Sequence, residues 1–279
     1  MRHMNQISRR GFLATAGSLA AALHADPLGM PIGCQTWPVR QTIGKDLDGT
    51  LKDVAGMGYQ RIELCSPPGY KDMGFGPLAA MKGSELRDKI QTAGLKCESC
   101  HFGYGELKDH LDERIAWAKD VGLKQMVIST FWLPKNATMA DWLKAAGEAN
   151  KIGAVTKKQG IQLGFHNHDF EFHKIDDQLI YDKLMGELDP ELVKMQFQVG
   201  VIELGYKAQD FFTKYPGRFI SMHLQDWSTQ LRKNVTMGEG VVDWKAVFAA
   251  AKTGGVKNYF VEMDPPELRA SVPFLHTLS

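Results

Sequence analysis

The chain has 279 residues, 44% of them hydrophobic and 23% charged, with 28 Gly, 12 Pro and 4 Cys. Those proportions exclude a disordered chain, a collagen-like repeat and a miniature scaffold built on disulfides. Formal charge is +1, but Arg2, Arg9 and Arg10 face no acid in the first 25 residues, so the remainder carries 30 basic against 32 acidic side chains and offers nothing to nucleic acid.

At the N-terminus, Ser8-Arg9-Arg10-Gly11-Phe12-Leu13 leads into an Ala-rich apolar stretch ending near Ala25. This reads as a twin-arginine export signal over residues 1–25, with Ala20-Ala21-Ala22 or Ala25 as the small-residue cleavage site. The alternative is a frayed amphipathic terminus. No apolar run reaches the roughly 18 residues of a membrane span. The expected location is the periplasm or another exported compartment. The twin-arginine route carries folded proteins, often around a cofactor, which raises the odds of a metal or prosthetic group.

From Pro31 the chain repeats one rhythm of short β-rich run, polar joint and longer amphipathic stretch. Strands are predicted at Ile32 to Trp37, Arg61 to Cys65, Lys96 to Phe102, Gln125 to Thr130, Gln162 to His166, Lys194 to Gln198, Phe219 to Leu224 and Asn258 to Glu262. Helical periodicity fills the gaps at Leu47 to Gly56, Ser84 to Ala93, Leu107 to Val121, Ala140 to Gln159, Gln178 to Leu188, Ala208 to Tyr215 and Trp244 to Lys252. Gly94, Gly122, Gly160, Gly217 and Gly255 each fall just before a strand, where a helix must stop and the chain reverse. The alternation predicts α/β architecture, a single (β/α)8 TIM barrel over 26–279 whose eighth helix is short or irregular. A doubly wound sheet is the alternative, disfavoured because no G-x-G-x-x-G follows the first strand. Cys97-Glu98-Ser99-Cys100 has CxxC spacing, yet strict alternation on a strand puts the two thiols on opposite faces, so they are expected to be structural.

In a barrel of this kind the active site lies at the C-terminal strand ends. Polar side chains stand there in density: Glu63, His101, His166 to His168, Gln198, His223 to Asp226, and Glu262 to Asp264. Period-two alternation pairs His166 with His168, His223 with Gln225, and Glu262 with Asp264, so each pair can face the mouth together. Singly, each is as readily a hydrogen-bonded core or rim residue. Together, nitrogen from His166 and His223, carboxylate from Glu262 and amide oxygen from Gln198 form a mixed N/O set for a divalent metal: Mn, Zn, Co, Fe or Mg. His168, Asp226 and Asp264 either orient ligands or make rim hydrogen bonds. Trp37, Phe131, Trp132 and Trp227 either stack on a sugar or roof the core. Gln225, with Glu171 and Phe172, belongs to the substrate rim or to packing, and Gly238-Glu239-Gly240 is a tight loop with a weak phosphate signal.

Four segments carry a resemblance: Gly164 to Phe172 (GFHNHDFEF), Gly217 to Asp226 (GRFISMHLQD), Gly238 to Trp244 (GEGVVDW) and Val261 to Asp264 (VEMD). Through them the chain resembles the xylose isomerase-like TIM barrels of the sugar phosphate isomerase/epimerase superfamily, especially the inosose dehydratase-like and 3-keto-glycoside-processing branches. The family's metal set is Glu, Asp, His and Glu on strands five to eight. His223 and Glu262 match in kind, whereas His166 and Gln198 depart, leaving a less negative site with one of two metal-bound carboxylate bases. The resemblance therefore implies proton abstraction next to a carbonyl with loss of a β-substituent from a keto-sugar or 3-keto-glycoside. In that reading Glu262 is the base, His168 or His101 the acid, and Glu63, Trp37, Glu171 and Gln225 hold substrate. The alternatives are an aldose-ketose isomerase or ketose epimerase, with His166 or His168 as second base, and a non-catalytic periplasmic sugar-binding barrel. The implied partner is a small-molecule sugar, with a homo-oligomer left open.

Overall fold

The computed structural model describes residues 26–278; the export signal expected over residues 1–25 lies outside the described residues. Eight parallel strands close into one barrel: Gly33–Gln35, Arg61–Cys65, Lys96–Phe102, Gln125–Ile128, Gln162–His166, Val193–Gln198, Phe219–Leu224 and Asn258–Val261, called strands one to eight below. Strand one pairs with both strand two and strand eight, which removes every free edge. Helices follow most strands and cover the outside. Among the described residues, no helix is long and apolar enough to cross a membrane.

Local chemistry sets the helix boundaries. Asp46 caps Leu47–Gly56 through Gly49 N at 2.8 Å. Thr138 and Asp141 form a reciprocal capping box on Met139–Lys158. Gly122 ends Tyr104–Val121 with φ 94°, a left-handed turn that a Cβ-bearing residue enters at a cost. The last helix, Pro265–Leu275, has 11 residues, is short beside the 18- and 20-residue helices after strands three and four, and carries Pro273 inside it.

Three differences from the expected elements have physical causes. Strand one stops at Gln35 because the Gln35 side-chain oxygen accepts from Thr36 N at 2.5 Å and Trp37 N at 3.1 Å, and Pro38 has no N–H for a ladder. Gln178–Leu179 leave the predicted helix to pair with Lys174–Ile175, turning through Asp176 and Asp177 at φ 49° and 58°; the helix is Ile180–Glu187. A register shift against strand two sets Cys97 opposite Ile62 and Cys100 opposite Leu64. That bulge cancels the alternation expected to part the thiols and puts both on the outer face. Both are buried, and burial pushes the Cys97 thiol up to about 12 and Cys100 well above its ordinary value, so they remain inert core residues.

The outward faces are apolar, with Phe172, Tyr181, Phe197 and Phe211 forming a ring cluster on the strand-six side. The mouth half of the interior is polar instead. Gln35, Glu63, Ser99, His166, Gln196, Ser221 and His223 are all buried there.

Candidate active site in the barrel mouth

Alternate strands of such a barrel send side chains into a common layer. Strands three, five and seven thereby bring His101, His166 and His223 together, with ring nitrogens within 4.8 Å of one another. The His166 and His223 ring centroids are 4.4 Å apart, and His101 stacks on His223 at 5.1 Å. Glu63, from strand two, is wholly buried against them. Its Oε2 lies 2.5 Å from His223 Nε2 and 3.3 Å from His101 Nε2, and accepts from Gln35 Nε2 at 2.8 Å. Its Oε1 accepts from Ser99 Oγ at 2.5 Å and Gln196 Nε2 at 2.8 Å. On the solvent side, Glu262 Oε2 lies 3.0 Å from His223 Nδ1 and accepts from Gln198 Nε2 at 2.8 Å. His223 thus spans two carboxylates, one sealed inside and one at the mouth.

The electrostatics follow from that contact chain. Burial alone would raise Glu63, but the imidazoles of His101 and His223 and the hydrogen bonds from His223 and Ser99 hold it at about 2. Burial opposes charge on His223, yet Glu262 and Glu63 lift it to about 9. His166 is pushed well below its ordinary value by burial and by neighbouring imidazoles, and burial takes His168 down to about 4. At neutral pH the mouth therefore holds one imidazolium between two carboxylates, flanked by neutral imidazoles able to accept a proton or bind a cation.

The mouth opens into two lobes that share Trp37, His168 and Glu262. One, of about 320 Å³, is polar, lined by Arg40, Asp169, Glu203, Gln225, Asn234 and Asp264 among others. The other, of about 260 Å³, is lined by Tyr70, Met73, His101, Ser129 and Trp132 with Cys65.

Of the residues singled out in the sequence, His101, His168, Gln198, Gln225, Glu262 and Trp37 all reach this cleft. His166 and His223 sit in the layer directly behind it. Two expectations are corrected. Glu63 was expected to hold a substrate hydroxyl, but it is fully buried, lines neither lobe and spends both oxygens on protein donors. Glu171 was also expected on the substrate rim. It is fully buried too, its Oε2 accepting from His168 N at 2.8 Å, which fixes the backbone that carries His168.

Asp226 and the Gly238-Glu239-Gly240 loop also prove structural. The Asp226 carboxylate accepts from the backbone N–H of Trp227, Gly238, Gly240 and Val242 and from Trp244 Nε1, so the loop amides already hold an anion of the protein. Sequence reasoning missed the supporting polar set of Gln35, Ser99, Gln196 and Ser221. A signal existed: Ser99, Gln196 and Ser221 each stand two residues before His101, Gln198 and His223, and so share their inward face.

The donor set fits a divalent cation. His166 Nδ1 is buried without a hydrogen-bond partner, and a buried imidazole nitrogen beside a carboxylate-bearing wall is a nitrogen ligand in waiting. Glu63 also supplies negative charge that strands five and six lack, so the cluster is less depleted of carboxylate than those two strands alone suggest.

A family model described as xylose isomerase-like TIM barrel matches residues 51–276. Among curated proteins, the chain is 25% identical to an inosose dehydratase of Clostridium perfringens over 146 residues, covering 45% of this chain and 48% of that protein. The chain thus spans about half the length of the curated relatives it matches. Among solved structures, a sugar phosphate isomerase/epimerase from Parabacteroides distasonis superposes with a TM-score of 0.77 at 21% identity, covering 95% of this chain and 98% of that one. A xylose isomerase-like TIM barrel protein from Mycobacterium smegmatis in complex with magnesium superposes with a TM-score of 0.66 at 14% identity, covering 91% and 97%. At these identities the structures share the fold.

Proposed function

Since the chain belongs to the xylose isomerase-like TIM barrel family, we propose that it is a sugar-processing enzyme that removes a proton next to the carbonyl of a keto-sugar or 3-keto-glycoside and expels a β-substituent. The observation that carries this reading is Glu262, the one carboxylate among the described residues that borders both lobes of the cleft, poised against His223 at 3.0 Å. The inosose dehydratase relatives support an elimination, in which water or an alcohol leaves.

In this mechanism Glu262 takes the α-proton. His223, held by Glu63 from behind, keeps Glu262 oriented and ionised, the hydrogen bond and the positive charge both favouring its carboxylate form. His168, at the boundary between the lobes and a neutral imidazole at neutral pH, serves the departing group through its N–H, with His101 beside the second lobe. Arg40, Gln225 and Asn234 bind substrate hydroxyls in the polar lobe. A divalent cation, of the kind seen as magnesium in the Mycobacterium smegmatis protein, would be held by His166 and, once His223 gives up the proton it shares with Glu262, by His223 and Glu262 with Gln198, and when bound would supply Lewis acidity toward the substrate carbonyl. Export by the twin-arginine route is part of the same proposal, supported by Ser8 to Leu13.

The test is Glu262→Gln in protein loaded with Mn and offered keto-glycosides in deuterated water. Turnover is expected to fall by about 100-fold or more, the usual scale for losing a general base. Full activity in this variant would remove the mechanism, and EDTA-insensitive activity would remove its metal. A second reading, epimerisation, is favoured by one observation: His168 and Glu262 both border both lobes and could act as bases on two faces. Product mass separates the two, because epimerisation takes up deuterium without loss of a leaving group.

A further inference from the structure

The two lobes meet at the reacting groups but differ in chemistry. The smaller lobe presents Trp37, Tyr70, Met73 and Trp132, and no lysine, arginine or carboxylate lines it except Glu262 at its border. Trp37 and Tyr70 pack edge to face at 6.0 Å and 70°, making one corner of a slot. Trp132 is 64% exposed and Met73 41% exposed, so large apolar faces are displayed to water inside the cleft. Trp132, in the loop that follows strand four, is also held at φ 52°, a left-handed backbone that a bulky residue rarely adopts.

We propose that this lobe seats a planar aromatic leaving group, so that the substrate is an aryl keto-glycoside, its sugar ring in the polar lobe and its aglycone against Trp132 and Trp37. This rests on the elimination reading above. A second sugar fits less well, because its hydroxyls would meet His101, Ser129, His168 and Glu262 on one side but only indole and thioether surface at Trp37, Trp132 and Met73. The lobe's volume of about 260 Å³ has room for a substituted ring, since a cavity of about 150 Å³ already takes benzene. The lobe also lacks a strong acid, which suits aryloxide: phenols ionise near pKa ~10, whereas water needs ~15.7.

The step balances without a co-reactant. Glu262 takes the proton from carbon 2, next to the carbon 3 ketone. A carbon 1 to carbon 2 double bond forms as the bond from carbon 1 to the aryl oxygen breaks. The electron pair leaves with oxygen, which takes up a proton from solvent to become the phenol while Glu262 returns its proton to solvent, so the base is regenerated and no net proton is gained or lost. The products are the phenol and an unsaturated keto-sugar.

Two measurements test this, each on the wild type, Trp132→Ala and Met73→Ala. The first is calorimetric binding of phenyl and methyl β-glucosides, which carry no ketone and do not react. The second is turnover of phenyl and methyl 3-keto-β-glucosides. The wild type is expected to prefer the phenyl ligand by about tenfold or more, in keeping with the value of a well-placed aromatic contact, and Trp132→Ala to erase most of that ratio. Equal binding of phenyl and methyl ligands by the wild type, or an unchanged ratio in both variants, overturns the aromatic seat. A phenyl preference in binding with no turnover of either keto-glucoside upholds the seat and removes the elimination reading. Equal turnover of both compounds, with equal binding, does the reverse.

Discussion

A carboxylate with no solvent exposure is stable only if its neighbours replace the water it has lost, and Glu63 shows how that is done. Gln35, Ser99, Gln196 and His223 all direct hydrogen-bonding groups at it, and His101 stands close by. Removing one partner of a buried ion pair leaves the other charge uncompensated, so Glu63→Ala is expected to cost about 3–5 kcal/mol in urea unfolding of the metal-free protein. A loss within 0.5 kcal/mol would mean that His223 is neutral there. Glu171 has the opposite character: burial raises its carboxyl from 4.5 to about 7, with no counter-cation near, and its Oε1 has no hydrogen-bond partner. The folded state therefore binds more protons than the unfolded state between pH 4.5 and 7, and stability falls as pH rises through that window, by about 3 kcal/mol at most. Glu171→Gln is expected to flatten that slope, as read from urea midpoints at pH 4.5, 6 and 8. Neither role was legible in the sequence. A glutamate on a strand or in a loop looks the same whether it ends among protein donors or in a substrate cleft, and only the distance to its neighbours decides.

At the scale of elements, the two-stranded ribbon Asp226–Ser228 with Lys233–Val235 depends on a single side chain. Asp226 gathers the amides of Gly238, Gly240 and Val242, and a Cβ on Gly240 would run into its Oδ1. Asp226→Ala takes the acceptor from these partly buried amides and orphans the buried Trp244 Nε1, so it is expected to cost about 2–3 kcal/mol. It should also raise KM, because Asn234 on this ribbon and Gln225 just before it line the polar lobe. Unchanged KM would detach the ribbon from substrate binding. Most elements were readable beforehand: Leu47–Gly56 and Phe219–Leu224 have the bounds that the sequence predicts, the helix through its one buried face and the strand as a short β-rich run buried on both faces. The places where pattern failed are those where a side chain or bulge takes over the backbone. Gln35 ends strand one by accepting two N–H groups, and the shift near Glu98 reverses the expected facing of Cys97 and Cys100.

For the molecule as a whole, closure makes distant residues neighbours: Glu63 and His223 are 160 positions apart and in contact. The whole chain also carries the export proposal, which predicts that Arg9→Lys with Arg10→Lys holds the protein in the cytoplasm of a bacterium that has the twin-arginine route. Cell fractionation reads this directly, and undiminished export would discard the signal. Alternating strand and helix patterns, with polar groups at the strand ends, were enough to specify the (β/α)8 architecture and to nominate His166, Gln198, His223 and Glu262, because strand periodicity and the location of barrel active sites are local or general facts. Which of the polar residues touch solvent, which only support others, and that the mouth divides into a polar and an aromatic lobe were decided by tertiary structure alone. Those depend on the tilt and register of strands meeting around the barrel, and distances across a closed barrel are not encoded in the period of any one strand.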